Sequence, residues 1–217
     1  MLATSWTEVR SAAWQGNATL GTLADIGNGW GDPSVVILGV AMWGGGVHWQ
    51  HRTVATVGLR AVEAITVSSV VTKVLKGAVG RSRPRVTPAD PWDLEFGRGF
   101  RYSNGDYESF PSGHTTAAFA FASAVTSEVA RRAPEHARLV GVTTFGLAGL
   151  TAYARMYRDA HWLSDVTMGA TIGSVGGWAL TRWHATRPGN RLDRILLPTF
   201  ERGPDGRMAV GVTIPWR

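Results

Sequence analysis

Three separated groups of residues in this chain carry side chains suited to phosphoryl transfer. They are Lys76 with Arg83 and Pro84, the tetrapeptide Pro111–His114, and Arg155 with His161 and Asp165. Fixed cations can bind phosphate oxygens, one histidine can attack phosphorus, a second can protonate a leaving group, and an aspartate can orient the attacking ring. Each group alone is a weak signal, whereas together they supply every part of such a mechanism.

The first group is interpreted through helical spacing. Lys76 and Arg83 are seven positions apart, about two turns, so both are expected to project from one face of a helix. Pro84 has no amide hydrogen and disfavours helical angles in the preceding residue, so the helix is predicted to end there, with Arg83 at its C-terminal end. The alternative is a solvated basic helix end, whose cations offset the negative pole of the helix dipole.

The second group is predicted to be a turn followed by the start of a helix. The segment from Thr115 to Val129 is apolar and rich in Ala, and Ser112 just before it is a natural N-cap. Gly113 lets the backbone approach a ligand, and the free amides of a first helical turn bind anions. A protonated His114 there needs a nearby anion, which a phosphate would supply. A capped turn with an incidental histidine is the alternative.

The third group combines a histidine, a carboxylate and a cation. His161 and Asp165 are four positions apart and would face the same side of a helix beginning near Trp162. The carboxylate can accept a hydrogen bond from one ring nitrogen and leave the other free to attack. Arg155, at the end of the preceding apolar segment, would bind phosphate through its planar fork of donors. The alternative is a surface His–Asp pair that contributes little stability.

In type, spacing and order, the three groups resemble the type 2 phosphatidic acid phosphatase family, which also includes bacterial nonspecific acid phosphatases and vanadium haloperoxidases. The resemblance covers about residues 60 to 185, and the Lys…Arg-Pro, Pro-Ser-Gly-His and Arg…His…Asp spacings are in register. One departure is Ala154, where the family usually has Ser. Another is the run 158–160 before His161, where Asp159 places a negative charge near the expected phosphate.

The resemblance implies a division of roles among the three catalytic residues. His161 would attack phosphorus in line and form a phosphohistidine, while Asp165 would hold its tautomer and stabilise the imidazolium. His114 would protonate the leaving oxygen and then deprotonate the hydrolytic water. The residues expected to bind the phosphate oxygens are Lys76, Arg83, Ser112, Gly113 and Arg155.

The resemblance implies that no metal or other cofactor is required, and the sequence agrees, since the chain has no cysteine and no dense cluster of His, Asp and Glu elsewhere. Vanadate is expected to inhibit the phosphatase. Under the haloperoxidase alternative it would instead be a cofactor bonded to His161, but those enzymes are generally much longer chains. A binding protein without catalytic activity is a third alternative, which would be expected to have lost a histidine or a cation.

The composition of the chain limits the partners that it is expected to bind. The chain has 217 residues, of which 44% are hydrophobic, so one domain with a sizeable core is predicted. Its 22 basic and 16 acidic residues give a net charge of +6, compatible with anionic lipid surfaces or phosphorylated substrates. No nucleic-acid motif accompanies this charge, so nucleic acid is not an expected partner. The oligomeric state is left open.

The membrane question depends on segment length, because a spanning helix needs about 20 apolar residues. The uncharged stretches Leu139–Ala154 and Val166–Thr181 have 16 residues each and favour a soluble or peripherally bound bundle. The ten Trp residues suit a membrane interface, so a multispanning protein is the alternative. Met1–Gln15 lacks a signal-peptide pattern. The resemblance places the active site outside the cytoplasm, periplasmic or membrane-associated.

The expected substrate is a phosphorylated lipid, such as a phosphatidate or an isoprenyl diphosphate. The apolar character of the bundle, its dispersed positive charge and its abundant Trp suggest approach from a membrane surface. A small soluble phosphate ester is the alternative, because the uncharged segments are short.

The predicted fold is all-α, a compact bundle of about six helices in one domain over residues 1–217. The predicted helices are Thr7–Leu23, Pro33–Val47, Val54–Val79, Thr115–Arg132, Ala137–Ala154 and Trp162–His184. Glycines at Gly27–Gly31 predict a turn after the first helix. Residues 85–110 form a long connection between two site groups, which is expected to act as a flap.

The end of the chain changes character. Ile195–Phe200 and Met208–Ile214 are β-prone runs on either side of Gly203–Gly206, which is typical of a turn. A C-terminal hairpin within residues 195–217 is therefore predicted. Since an isolated hairpin is marginally stable, it is expected to pack on the helices or on a partner chain. A frayed tail is the alternative.

Overall fold

A computed structural model shows that this protein is built mainly from helices. The structure describes residues 16–31, 33–88, 90–102, 104–197, 199–202 and 208–211. Within that part the predicted all-α class is confirmed. Six long helices are present, as expected, together with two short ones. They are α1 (Ala18–Trp30), α2 (Ser34–His48), α3 (Arg52–Val79), α4 (Arg98–Arg101), α5 (Gly113–Arg132), α6 (Pro134–Tyr157), α7 (Leu163–Ala185) and α8 (Arg191–Leu196).

Helix α5 lies at the centre of the bundle and packs against α3, α6 and α7, while α2 packs on α3 and α1 on α6. The buried face of α5 is rich in alanine, including Ala117, Ala120 and Ala124, around the single large ring of Phe121. Small side chains let helix axes approach closely, so the core is filled partly by backbone rather than by long side chains.

The contact between α5 and α7 is closest along a row of glycines. Gly169, Gly173 and Gly177 are spaced by four and share one face of α7. A Cβ atom on Gly173 would lie 2.4 Å from the carbonyl oxygen of Thr116, and one on Gly177 would lie 2.7 Å from that of Ala120. Helix α7 therefore rests directly on the backbone of α5, and only glycine fits at these positions.

The end of α3 differs from the prediction. Gly80 adopts a left-handed conformation, with φ of 58°, and its amide donates to the carbonyl of Lys76 over 3.1 Å. This glycine cap ends the helix at Val79, before Arg83 is reached. The prediction that Lys76 and Arg83 share one helical face is therefore wrong, because Arg83 lies in the following loop.

The turn predicted at Gly27–Gly31 is also wrong over most of its length, because α1 continues to Trp30. A Cβ atom on Gly27 would lie 2.1 Å from the carbonyl oxygen of Leu150 in α6. This glycine allows two helices to touch and does not break the first one. The residues predicted to begin that helix, from Thr7, lie outside the described part of the chain.

Residues 85–110, the predicted flap, contain α4, and Leu94 forms an isolated antiparallel bridge with Arg81. The segment packs on the end of α3, since a Cβ atom on Gly99 would lie 2.4 Å from the carbonyl oxygen of Lys76. It therefore lies beside the predicted site. Its closure over a substrate stays a prediction.

Two strands follow the last helix. β1 (Thr199–Arg202) and β2 (Met208–Gly211) pair antiparallel, with Thr199 opposite Gly211. The turn predicted between them lies outside the described residues, so the hairpin as a unit stays a prediction. Ile195 was expected in the first strand but lies in α8, where the Asn190 side chain accepts a hydrogen bond from the Asp193 amide.

Among the described helices, α3 alone is long and apolar enough to cross a membrane. More than half of its most apolar stretch is buried against other helices, which is also typical of a core helix in a water-soluble protein. The two 16-residue stretches noted in the sequence lie within α6 and α7. The choice between a soluble or peripheral bundle and a multispanning one stays open on these helices.

Candidate active site

All of the predicted site residues lie at one end of the bundle, where α3 and α6 end and α5 and α7 begin. The amide of Ser112 donates to the carbonyl of Asp165 over 3.0 Å, which joins the starts of α5 and α7. A Cβ atom on Gly113 would lie 3.6 Å from the Lys76 side chain. The three sequence groups therefore converge, although long stretches of chain separate them.

The histidine–aspartate pair lies at the start of a helix that begins next to Trp162, as predicted. His161 precedes α7, which begins at Leu163, and Asp165 lies in the first turn. The distance from His161 Nδ1 to Asp165 Oδ2 is 3.6 Å, longer than an ordinary hydrogen bond. Both side chains are buried. The carboxylate faces Nδ1, so Nε2 is the nitrogen left for attack.

Asp165 is held by more groups than the sequence indicated. Arg81 donates from NH1 to Oδ1 over 2.6 Å, while the Ser109 hydroxyl and the Trp162 amide donate to Oδ2. Burial would raise the pKa of Asp165, but His161, these two donors and the Arg81 charge outweigh it and lower the pKa. Asp165 is therefore a fixed carboxylate.

Arg81 and Ser109 are two site residues that sequence reasoning missed. Arg81 lies between Lys76 and Arg83, so its basic side chain within the first group was the available signal. Its guanidinium also donates to Ser164 over 2.7 Å and lies 5.6 Å from the centre of the Trp162 ring. These contacts fix the cation before any ligand arrives. Ser109 carries no comparable signal.

The protonation of His161 is set mainly by burial. Removal of the ring from water, together with the positive charges of Lys76 and Arg83, outweighs the hydrogen-bonding influence of Asp165 and lowers the pKa of His161 to about 3. The ring is therefore neutral near pH 7. A neutral imidazole is the form that can act as a nucleophile.

Lys76 and Arg83 are positioned by neutral carbonyl groups. Lys76 Nζ donates to the carbonyl of Glu108, and Arg83 Nε donates to that of Gly105 over 2.7 Å. The Glu108 carboxylate is instead paired with Lys73, at 2.9 Å. Burial and the neighbouring Arg85 lower the pKa of Arg83. Burial and the charge of Arg83 lower the pKa of Lys76 to about 7, so this amine is partly protonated near pH 7, and an anion bound beside it would favour the charged form.

Arg155 is held in a comparable way at the end of α6. Its NH1 donates to the side-chain oxygen of Asn28 over 2.9 Å, and its buried Nε has no hydrogen-bond acceptor among the described residues. Burial and the charge of Arg83 lower the pKa of Arg155 to about 10, so the group is still cationic near pH 7. Asn28, in α1, was not predicted.

The start of α5 has the predicted position but not the predicted cap. Ser112 precedes the helix and is fully buried, yet its side chain makes no capping hydrogen bond and accepts from the Thr115 hydroxyl over 3.0 Å. The His114 ring lies near the end of α1, since a Cβ atom on Gly31 would lie 3.0 Å from its Cδ2 atom. The absence of a side chain at Gly31 thus leaves room for this imidazole.

An apolar groove of about 680 Å³ flanks the charged site. Its walls include Trp92, Phe110, Trp162, Leu163 and Met168. Arg81 and Ser164, which contact each other beside Asp165, line it as well. A molecule with a phosphate at the cations and a hydrocarbon chain in this groove would match both surfaces.

The loop beside this groove exposes several aromatic rings. Trp92, Phe96 and Phe100 are 78%, 86% and 68% exposed, respectively. The same loop carries Arg98 and Arg101. Both arginines are paired with acidic residues of the same loop, Asp93 and Glu95, so the exposed rings are the feature that is typical of a membrane interface.

The arrangement has the parts needed to bind a phosphate group and transfer it. Three basic side chains, buried or half-buried, lie at the same end of the bundle as a neutral histidine that is backed by a carboxylate, with a second histidine at the neighbouring helix start. In the part of the chain that the structure describes, no group of three or more His, Asp or Glu residues could hold a metal ion.

Comparisons with known proteins agree with this geometry. The sequence model of the PAP2 superfamily matches residues 57–188, a range that contains every predicted site residue. The chain is 38% identical over 69 residues to the lipid A 1-phosphatase of Porphyromonas gingivalis. That alignment covers 32% of this chain and 15% of the relative, so the chain matches only a small part of that protein's length.

A solved structure supports the fold. The transmembrane PAP2 type phosphatidylglycerolphosphate phosphatase from Bacillus subtilis superposes with a TM-score of 0.53 at 20% identity. The superposition covers 87% of this chain and 97% of that structure. At this identity the likeness shows a shared fold.

Proposed function

Because this chain belongs to the PAP2 superfamily, we propose that it is a metal-independent phosphatase that removes phosphate from a lipid through a phosphohistidine intermediate. The observation that carries the proposal is the position of the apolar groove. It lies beside the residues that hold the Asp165 carboxylate, so a phosphate at the cations would have its leaving group near a hydrocarbon-binding surface.

In the first step, His161 Nε2 attacks phosphorus while the bond from phosphorus to the leaving oxygen breaks. The proton on Nδ1 stays directed at Asp165, which stabilises the positive charge that develops on the ring. Burial favours this step because it keeps His161 neutral before attack. The 3.6 Å distance between the two residues shortens as the ring gains charge.

His114 supplies the proton that the leaving oxygen requires, and the dephosphorylated product departs, which is an alcohol from a phosphomonoester or a monophosphate from a diphosphate. A water molecule then gives a proton back to His114 and attacks phosphorus, which breaks the bond to His161 and releases inorganic phosphate. The position of His114 at the start of α5 supports this role, because the helix dipole and the free amides of Gly113 and its neighbours favour a phosphate there.

Three cations, Lys76, Arg83 and Arg155, stabilise the equatorial oxygens of the transition state. Carbonyl and amide oxygens already hold them, so little reorganisation is needed when charge moves. This fixed positive charge does the work that a metal ion does in other phosphatases. Vanadate, which forms a trigonal-bipyramidal adduct, should compete with substrate for His161.

The proposed substrate is a membrane phospholipid or polyprenyl phosphate or diphosphate whose chain lies along Trp162 and Leu163. The exposed rings of Trp92, Phe96 and Phe100 support approach from a membrane surface. A membrane-associated, extracytoplasmic enzyme follows from this proposal. The relatives named above act on lipid A and on phosphatidylglycerolphosphate, which supports a lipid substrate for this chain as well.

The test compares a long-chain phosphatidate with a small aryl phosphate, in detergent micelles and in the presence of chelator. Leu163→Gln and Met168→Gln place amides in the groove, and each is expected to lower kcat/KM for phosphatidate by about tenfold while leaving the aryl phosphate nearly unaffected. Leu163 is 68% exposed and Met168 40% exposed, so both variants are expected to fold.

The matched control is Val175→Gln, on the same helix and 56% exposed but outside the groove. It is expected to leave both rates unchanged. If chelator abolishes turnover, the metal-independent mechanism is wrong. If the groove variants reduce both substrates equally, or if the wild type prefers the aryl phosphate, the lipid assignment is wrong while the phosphatase assignment survives.

A further inference from the structure

A second cavity lies at the opposite end of the bundle from the active site. Its volume is about 530 Å³, and five arginines line it: Arg52, Arg60, Arg131, Arg132 and Arg194. Arg60 and Lys76 lie on the same helix, α3, sixteen positions apart, so about 24 Å of helix separates this cavity from the active site. The proposed phosphatase mechanism uses none of these residues.

The inner wall of the cavity is a buried ionic network around Arg60. Its guanidinium donates to Glu63 over 2.8 Å and to Asp193, and the side chain is only 3% exposed. His184 lies 3.1 Å from the Glu63 carboxylate, and Asn190 donates to Asp193. These contacts fix the orientation of Arg60. Its buried Nε has no hydrogen-bond acceptor among the residues that the structure describes.

The rim of the cavity carries the other four guanidinium groups. Arg131 and Arg132 both donate to Glu128, at 2.6 and 2.9 Å, and that carboxylate is fully buried. Arg194 donates its Nε to the carbonyl of Gly189 over 2.7 Å, and it forms no ion pair with any residue that the structure describes. The Arg52 side chain forms no ion pair within the described ranges.

Among the described residues around this cavity, positive charge is therefore in excess. Five guanidinium groups face three carboxylates, those of Glu63, Glu128 and Asp193, and two of these carboxylates lie behind the cavity wall. Clustered arginines held by structural contacts provide planar donor pairs that match phosphate oxygens. A volume of about 530 Å³ is ample for a diphosphate or a phosphorylated headgroup.

We propose that this arginine cavity binds the phosphate group of an anionic ligand that is not the substrate. Two sources present the same chemistry: a soluble diphosphate and the headgroup of an anionic phospholipid. The site would hold the phosphate between the rim guanidiniums of Arg52 and Arg194, above the fixed charge of Arg60.

The first experiment titrates the full chain in neutral detergent with methylenediphosphonate, a diphosphate that cannot be hydrolysed, by isothermal titration calorimetry. Two binding events are expected in the wild type, one at each end of the bundle. The variant Arg52→Gln/Arg194→Gln is expected to bind the probe at the far site at least tenfold more weakly, while Arg155→Gln weakens only the active-site event.

The matched control is Arg138→Gln/Arg182→Gln, which removes the same charge from exposed positions at the same end of the bundle but outside the cavity. This control variant is expected to retain both binding events. Equal weakening in the control and in the cavity variant would overturn the proposal, because a diffuse charge effect would then explain the binding. If the double variant does not fold, Arg52→Gln alone should still weaken the far-site event about tenfold.

The second experiment identifies the source of the phosphate. Melting temperature is measured in micelles that contain phosphatidylglycerol or, as the uncharged comparison, phosphatidylcholine. A lipid headgroup is supported if phosphatidylglycerol raises the melting temperature of the wild type and of the control variant but not that of the cavity variant. Calorimetric binding without that rise supports a soluble diphosphate. Absence of both the far-site binding event and the rise in the wild type overturns the proposal.

Discussion

Arg81 and His161 act on different oxygens of one carboxylate: NH1 of Arg81 donates to Asp165 Oδ1 over 2.6 Å, while Oδ2 lies 3.6 Å from His161 Nδ1. The cation thereby fixes the plane of the group that orients the histidine. A buried ion pair of this kind is costly to break, since removal of one partner leaves an uncompensated charge. Arg81 is therefore a positioning residue whose effect on catalysis passes through Asp165.

Arg81→Met is expected to lower the free energy of unfolding by about 3 kcal/mol or more, because it strands the buried Asp165 carboxylate. Denaturant titration of the full chain measures this change. Arg101→Met, which removes an ion pair whose side chains are both more than half exposed, should cost less than about 1 kcal/mol. Equal losses in the two variants would show that the Arg81 pair is no stronger than a surface pair.

The positioning role itself is tested with Arg81→Lys, which keeps the charge but loses the planar fork. With a small aryl phosphate, which does not fill the groove that Arg81 lines, we expect kcat to fall about tenfold with KM nearly unchanged, because only the transition state depends on His161 orientation. A rise in KM with kcat preserved would place Arg81 in substrate binding.

His161→Ala removes the proposed nucleophile and is expected to lower kcat by several orders of magnitude. Asp165→Asn should cost less, because a neutral side chain still fills the site while no longer stabilising the imidazolium. Steady-state release of phosphate from an aryl phosphate measures both. His136→Ala, at an exposed position in α6, is the control and should leave the turnover rate unchanged. Near-normal turnover by His161→Ala would remove the phosphohistidine from the mechanism.

The low pKa of His161 makes stability depend on pH. The folded state keeps this ring neutral down to about pH 3, whereas the unfolded chain protonates it near pH 6.5. Between those values the unfolded chain binds more protons, so this contribution to stability is complete above pH 6.5 and is lost as the pH falls towards 3. The slope approaches about 1.4 kcal/mol per pH unit.

The measurement is the free energy of unfolding at several pH values from 7 to 4, for wild type and His161→Gln. The variant is expected to have a shallower dependence, because Gln does not titrate. Asp165, whose pKa is lowered, contributes a further loss only at more acid pH. His136→Gln serves as the comparison at an exposed site. Identical pH dependences for wild type and His161→Gln would contradict the neutral, buried state of this ring.

Gly31→Ala is expected to impair the general acid without touching any substrate group. The new Cβ would lie 3.0 Å from His114 Cδ2 and 3.3 Å from Thr151 Cγ2, so the imidazole must shift by a few tenths of an ångström. We expect a several-fold loss of kcat for alkyl phosphates and a smaller loss for aryl phosphates, whose leaving groups need less protonation. His114→Ala should show the same pattern more strongly.

A matched comparison is Gly29→Ala, at a helical position where a Cβ atom meets no atom within 4 Å. It should leave both rates unchanged. If Gly31→Ala lowers alkyl and aryl turnover by the same factor, the His114 ring is not the group that the added methyl displaces.

The chemistry of the site was predictable from the sequence because residue type determines it. Three basic side chains, two histidines and a carboxylate have the same functional groups in any fold, and their spacing indicated a shared site. What the sequence could not supply was the path of the backbone. Gly80 ends α3 early, so Arg83 reaches the site from a loop.

Contacts between distant segments were not predictable either. Asn28 meets Arg155 from α1, more than a hundred residues away along the chain, and only tertiary packing brings the two together. Gly27 has the composition of a turn signal, yet its function is to let α1 touch α6. Local propensity favoured a break there, and the energy of packing two helices outweighed that preference. The arginine cavity depends on the same kind of long-range assembly.

The row of glycines at which α7 packs on α5 limits the substitutions that this protein can tolerate. Gly173 and Gly177 contact no substrate, yet any side chain there would push apart the two helices that carry His114 and Asp165. A library of random substitutions selected for activity should therefore show intolerance along this row as strict as that at the histidines. Such a map would show that the positions required for activity run along the contact between α5 and α7, with the catalytic groups at only one end of that contact.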